Sequence, residues 1–162
     1  MKTLVVYDSV YGNTAQVAKA IAGAVAPSDE VALLQATEAT PSALAGVDLL
    51  IVGAPTHGGR PSPTMQTFLN QIPAGTLNNV GVTAFDTRVS TEDKGFGLRI
   101  LMRVLGYAAE RIAGALQRKG GQLAQTPAGF IVEGKEGPLR EGELARAATW
   151  AEGIRRATIK PQ

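Results

Sequence analysis

The sequence predicts an α/β protein: a parallel sheet, doubly wound, with helices on both faces. Three observations predict it. Short β-branched or apolar runs alternate with longer Ala-rich runs along the chain, the pattern that successive βαβ units produce. The run VDLLIVGAP (47–55) is almost wholly apolar, as expected of a strand covered on both faces. The loops after the first, third and fourth strands are rich in small, polar and glycine residues, whereas the opposite-end loops read as plain turns. Ligands of open α/β sheets bind at the carboxyl ends of the strands, so this asymmetry marks one functional rim.

The elements follow in order. TLVVYD (3–8) reads as the first strand, and NTAQVAKAIAGAV (13–25) as a helix with Val17, Ile21 and Val25 on one face. EVALLQA (30–36) is a second strand, and PSALAG (41–46) starts a short helix capped by Thr40. The third strand, 47–55, is followed by SPTMQTFLNQI (62–72), a helix with Ser62 as cap and Pro63 in its first turn. NVGVTAFD (79–86) is the fourth strand and GFIV (129–132) the core of the fifth. Between these two, Gly106 splits a long segment into an apolar helix near 97–105 and a longer one, 107–119, ended by Gly120-Gly121. EGELARAATWAEGIRRA (141–157) is the last helix, with Trp150 expected in core packing away from the rim.

With 162 residues and no internal repeat or linker, the chain is expected to form one domain, 1–162. Hydrophobic residues make up 44% and charged residues 19%, an ordinary globular balance. The longest apolar run is too short for a membrane span, and the one after Met1-Lys2 too short for a signal-peptide core. The cytoplasm is therefore the expected compartment. Cysteine is absent and His57 is the single histidine, which excludes disulfides, thiolate sites and histidine-rich metal sites. The net charge is only +2, and the basic residues lack the aromatic interleaving of nucleic-acid binders, so no nucleic-acid partner is expected.

The first loop, SVYGNT (9–14), runs directly into a helix N-terminus. Free backbone N–H groups there, aided by the helix dipole, favour an anion without a cationic side chain. Gly12 permits close approach, and Ser9, Asn13 and Thr14 can donate hydrogen bonds; equally, Ser9 and Asn13 can serve as ordinary helix caps. No Lys or Arg lies between Lys2 and Lys19, so an anion here is expected to rest on neutral donors. The loop carries neither the GxxxxGK[ST] nor the GxGxxG spacing. HGG at 57–59 suggests a hydrolase oxyanion loop, but the chain has no GxSxG elbow. Asp8 suggests a phospho-accepting receiver domain, but the third strand ends in VGAP, where such a domain places its acceptor aspartate. No side chain stands out as acid, base or nucleophile, so no catalytic residue is named.

SVYGNT after the first strand, GAPTHGGRPSP after the third and AFDTR after the fourth resemble the three FMN-contacting loops of flavodoxins. The late run EGKEGPLREGEL is also similar to one seen in flavodoxin-like proteins. The resemblance spans the chain and implies the flavodoxin-like strand order 2-1-3-4-5. It implies that Ser9, Val10, Tyr11, Gly12, Asn13 and Thr14 wrap the phosphate of non-covalently bound FMN. Pro55, Thr56, His57, Gly58 and Gly59 would lie beside the isoalloxazine ring. Phe85, Asp86, Thr87 and Arg88 would border the ribityl chain and the ring's other side.

The implied function is electron transfer by FMN cycling between redox states, with a redox partner protein or a small-molecule electron acceptor. Tyr11 stands where many flavodoxins have threonine or serine and resembles the related flavin quinone reductases. The second loop offers no ring to the flavin except His57, whose default role is a solvated or capping one, and the third offers none. Two alternatives stay open: an FMN-dependent NAD(P)H:quinone-type reductase, and a flavodoxin-fold binding or sensing module. Arg60 and Arg88 are expected as solvent-exposed charge; the sharper reading has them attract an anionic substrate or offset charge on the flavin. The apolar segment FGLRILMRVL (96–105) is either buried where the chain returns to the sheet, or a lid or subunit contact for a homo-oligomer.

Overall fold

In a computed structural model, residues 1–92 and 94–158 are described. The strands are β1 (Lys2–Tyr7), β2 (Glu30–Gln35), β3 (Leu49–His57), β4 (Arg60–Pro61), β5 (Gly81–Val89), β6 (Gln122–Leu123) and β7 (Ala128–Val132). The helices are α1 (Asn13–Val25), α2 (Pro63–Gln71), α3 (Phe96–Leu105), α4 (Ala108–Arg118) and α5 (Glu143–Thr158).

β2, β1, β3 and β5 lie side by side in parallel, and the fifth position is shared. β6 pairs with the start of β5 at Gly81–Gln122, and β7 with its end, from Phe85–Ala128 to Val89–Val132. The expected order 2-1-3-4-5 is thus present, with its last strand in two pieces. Thr126-Pro127 interrupts it, because proline brings no N–H to the ladder.

Strict alternation along the strands divides the interior. Leu4, Val6, Leu50, Val52, Val82 and Ala84 face Met65 and Phe68 of α2 and Ile112 and Leu116 of α4. Val5, Leu49, Ile51 and Phe85 face the other way, onto Val17 and Ile21 of α1 and Ala147, Ala151 and Ile154 of α5. One-residue parity therefore decides which helix layer each side chain meets. Trp150 stands edge-on to Phe85 and Phe130, with centroids 6.4 and 6.1 Å away, and its Nε1–H donates to the Thr126 carbonyl at 3.0 Å. It is packed as the sequence predicts.

Three local features depart from expectation. Residues 41–44 form a 3₁₀ turn, and the Thr40 hydroxyl bonds the Ser42 hydroxyl at 2.7 Å instead of capping. The stretch between Pro41 and Gly46 is too short to sustain an α-helical nucleus. β3 continues past Pro55 to His57 and turns back antiparallel into β4, pairing His57 with Arg60. Gly58 and Gly59 have φ of 56° and 77°; positive φ at both central residues is what a two-residue hairpin turn needs, and glycine adopts it freely. Finally, α3 buries none of its ten residues, which overturns its reading as a segment simply buried on return to the sheet. Ser62 does cap α2, accepting from the Met65 N–H at 3.4 Å.

Candidate functional site

The carboxyl ends of β1, β3, β5 and β7 converge on a cavity of about 260 Å³. It is lined by Val10, Tyr11, Asn13 and Thr14 from the first loop, Pro55, Thr56 and His57 from the second, and Thr87, Arg88 and Val89 from the third. Val132 and Lys135, after β7, complete the wall. Among the described residues no carboxylate lines it, which suits an anionic ligand.

At the start of α1 the chain passes through Gly12 at φ 91°, a left-handed conformation that costs a side-chain-bearing residue about 1–2 kcal/mol. The Ser9 hydroxyl oxygen accepts from the Gly12 and Ala15 N–H groups, at 3.1 and 3.2 Å. The N–H groups of Val10, Tyr11, Asn13 and Thr14 find no acceptor among the described residues. Four free donors at one turn and the positive end of a helix dipole form a cradle for a phosphate-like group. Val10 and Tyr11 stand exposed at its lip.

Side-chain bonds tie this loop to its neighbours. The Thr14 and Thr87 hydroxyls share a buried bond of 2.7 Å, and Asn13 Nδ2 donates to the Glu136 carbonyl at 3.1 Å. The Ser62 hydroxyl donates to Asp8 at 2.5 Å. The Asn13 and Thr14 side chains thus hold the rim together, and the backbone supplies the free donors. In the second loop the Thr56 hydroxyl accepts from the Ala108 N–H at 3.1 Å, fastening the hairpin to α4, while His57 is exposed.

Parity sorts the third loop. Thr87 turns toward α1, whereas Asp86 and Arg88 turn toward α4. Arg88 grips Asp86 with two bonds, 2.7 and 2.8 Å, and lies 3.5 Å over the Tyr107 ring. Asp86 is fully buried and also accepts from the Ala109 N–H at 2.9 Å. The guanidinium crosses β7 at Gly129, where a Cβ would lie 2.2 Å from it. Arg88 is therefore a paired, mostly covered group instead of the solvent-exposed charge expected; Arg60 is exposed as expected.

A second cavity, about 240 Å³, adjoins the first and shares Thr56, Arg88 and Val89 with it. Gly58, Leu98, Met102 and Tyr107 are among its walls. Of the residues anticipated from sequence, Val10, Tyr11, Asn13, Thr14, Pro55, Thr56, His57, Thr87 and Arg88 meet at the first cavity. Ser9 and Gly12 shape its cradle from behind, and Gly58 lines the second cavity. Gly59 packs against the Leu105 and Gly106 carbonyls. Phe85 is fully buried beneath α1 and α5, and Asp86 is held by Arg88, so neither reaches the cavity.

Lys135 escaped the sequence reading, which expected neutral donors only. Its signal was the EGKEGPLREGEL run, which leaves β7 at the same rim as the other three loops.

The flavodoxin domain model matches residues 4–95, more than half the chain. The chain belongs to the flavodoxin family. Flavodoxin structures agree with this assignment in fold: flavodoxin 1 of Bacillus cereus is 19% identical with a TM-score of 0.70, covering 96% of this chain and 98% of that one. The flavodoxin of Streptococcus pneumoniae TIGR4 is 16% identical with a TM-score of 0.75, over 96% and 99%. The fold also recurs within a longer protein, rubredoxin oxygen:oxidoreductase of Desulfovibrio gigas, at 21% identity and a TM-score of 0.65; 96% of this chain matches 35% of that one. Comparison with curated proteins gives no match. In flavodoxin terms, the rim is built from the strand ends at which the three resembling loops lie.

Proposed function

We propose that residues 1–162 act as one flavodoxin-like domain that binds FMN non-covalently at the rim and transfers electrons through it. The observation that carries the reading is the set of N–H groups at Val10, Tyr11, Asn13 and Thr14 that find no acceptor among the described residues, opening on a cavity with no carboxylate among its described lining residues. That donor set fits a phosphate monoester, and Lys135 adds a positive charge at the same wall. Bound FMN supplies the electron-accepting and electron-donating group.

The chain's residues bind and orient it. Ser9 and Gly12 hold the phosphate cradle open, while Thr87 and Val89 with Pro55 and Thr56 flank the remainder of the ligand. The Gly58-Gly59 turn presents peptide groups whose rotation glycine tolerates. Phe85 and Asp86 support this wall from behind. The electron partner is a redox protein or a small-molecule acceptor.

The binding test compares FMN with riboflavin, which lacks the phosphate, by visible absorbance and quenching of flavin fluorescence. FMN is expected to bind at least about tenfold more tightly, a difference of about 1.4 kcal/mol. Gly12→Val should erase most of that advantage. A chain that perturbs neither flavin would overturn the proposal.

The apolar second cavity, walled by Leu98, Met102 and Tyr107 beside the first, favours one further reading. It suits a small planar acceptor, as an FMN-dependent NAD(P)H:quinone-type reductase would need. Rapid NAD(P)H oxidation with added quinone by the FMN-loaded chain supports the reductase; stepwise reduction without such turnover supports the carrier.

A further inference from the structure

We propose that α3 is a docking element for an anionic lipid surface. All ten of its residues are accessible, with Phe96 79% and Val104 77% exposed. At a helical turn's spacing Phe96, Ile100 and Val104 form one stripe, and Arg99 and Arg103 run beside it. Leu98 and Met102, on the opposite side, wall the second cavity. The apolar stripe thus points away from the protein, into the surroundings.

Between the acidic residues that bracket it in sequence, Glu92 and Asp93 before and Glu110 after, the segment carries charge of one sign. From Lys94 to Ala109 the sequence contains no acidic residue, and the only polar side chains on α3 are Arg99 and Arg103. Arg111 donates to the Leu105 carbonyl at 2.9 Å, placing a further cation at the helix's C-terminal end. Arg60 shares a surface depression with Arg111, next to Gly59, which packs against Leu105 and Gly106. None of Arg60, Lys94, Arg99, Arg103 and Arg111 forms an ion pair among the described residues.

This combination favours lipid over the other occupants. An exposed apolar stripe with arginine on its flank is the pattern of a helix lying in a membrane interface. Headgroup phosphates of anionic lipids neutralise such cations, and the acyl boundary takes up apolar side chains without shape-matching. A second copy docked about a two-fold axis would bring like-charged arginines together. A protein partner would find no hydroxyl or amide on the helix to bond. Ten helical residues span about 15 Å, enough for reversible attachment, and no described helix is long and apolar enough to cross a membrane.

The test is flotation of the full chain with vesicles of phosphatidylcholine alone or mixed with phosphatidylglycerol. Binding to the mixed vesicles is expected, falling about tenfold or more with phosphatidylcholine alone or at high salt. Phe96→Ser with Val104→Ser should also weaken it about tenfold, as should Arg99→Gln with Arg103→Gln. All these positions are exposed, so melting temperatures should stay unchanged.

Absence of flotation with the mixed vesicles would overturn the proposal, as would binding indifferent to both pairs of substitutions. A dimer in solution that depends on Phe96 and Val104, without vesicle binding, would assign the helix to a second copy. Binding to polyglutamate but not to vesicles would assign it to an acidic protein. Either result overturns the lipid assignment.

Discussion

Arg88 meets Asp86, Tyr107 and the open face of Gly129 at once. Its fork matches the carboxylate geometrically, and the aromatic face beneath accepts a weakly hydrated cation. The carboxylate it holds has no exposed surface. Arg88→Ala leaves that charge buried with only the Ala109 N–H as partner, and is expected to cost about 3–5 kcal/mol, read from the urea midpoint. Arg88→Lys should recover only part, because an ammonium cannot make two parallel bonds. An unchanged midpoint for Arg88→Ala would show that water reaches Asp86 freely. From sequence Arg88 is one more rim cation; its pairing follows from strand parity, which aims residues 86 and 88 at α4.

α5 begins with an electrostatic clamp. The Glu143 carboxylate receives the Ile131 N–H at 2.6 Å and two bonds from Arg146, tying the helix to β7. The Arg146 hydrogen bonds hold the Glu143 carboxyl below its ordinary value of 4.5; burial opposes them, and the Ile131 N–H adds to them. A carboxyl lowered on folding contributes stability that is present above its unfolded value and lost as pH falls through the folded one. The chain should therefore lose stability progressively as pH drops below 4.5. Glu143→Gln should flatten that part of the profile and lower stability near neutral pH by about 1–3 kcal/mol, since the charged bonds to Arg146 are lost. Urea titrations at neutral and acidic pH check both; an unchanged acid limb would mean the clamp is not what titrates. α3 shows the limit of element-scale reading: its amphipathic pattern is visible in the sequence, but not whether neighbours cover it.

Across the whole molecule, the rim is pre-assembled by bonds between segments distant in sequence: Thr14 to Thr87, Ser62 to Asp8, and Asn13 to Glu136. A ligand that binds this folded rim and not the unfolded chain must stabilise the whole by mass action. Free FMN at about a hundred times its Kd should add about 2.7 kcal/mol and raise Tm measurably. Riboflavin at equal concentration should add less. Equal shifts from both would remove the phosphate cradle from the account.

The layered sheet was legible in the chain's local pattern, because hydrophobic period and turn residues act locally and recur along it. The sequence also pointed to the strand ends at which the candidate site lies: SVYGNT, THGGRPS and DTRVSTEDKG differ chemically from the opposite-end turns. The hairpin at Gly58-Gly59 was legible in principle, since two glycines between paired residues favour it. What each rim residue faces came instead from long-range packing. Phe85 went to the core and Arg88 to Asp86 because parity, register and neighbouring helices act between residues far apart in the chain. Lys135 reached the cavity for the same reason, from a loop after the last strand. α3 remains outside the core because α2 and α4 already cover that face of the sheet, a competition that no local pattern records.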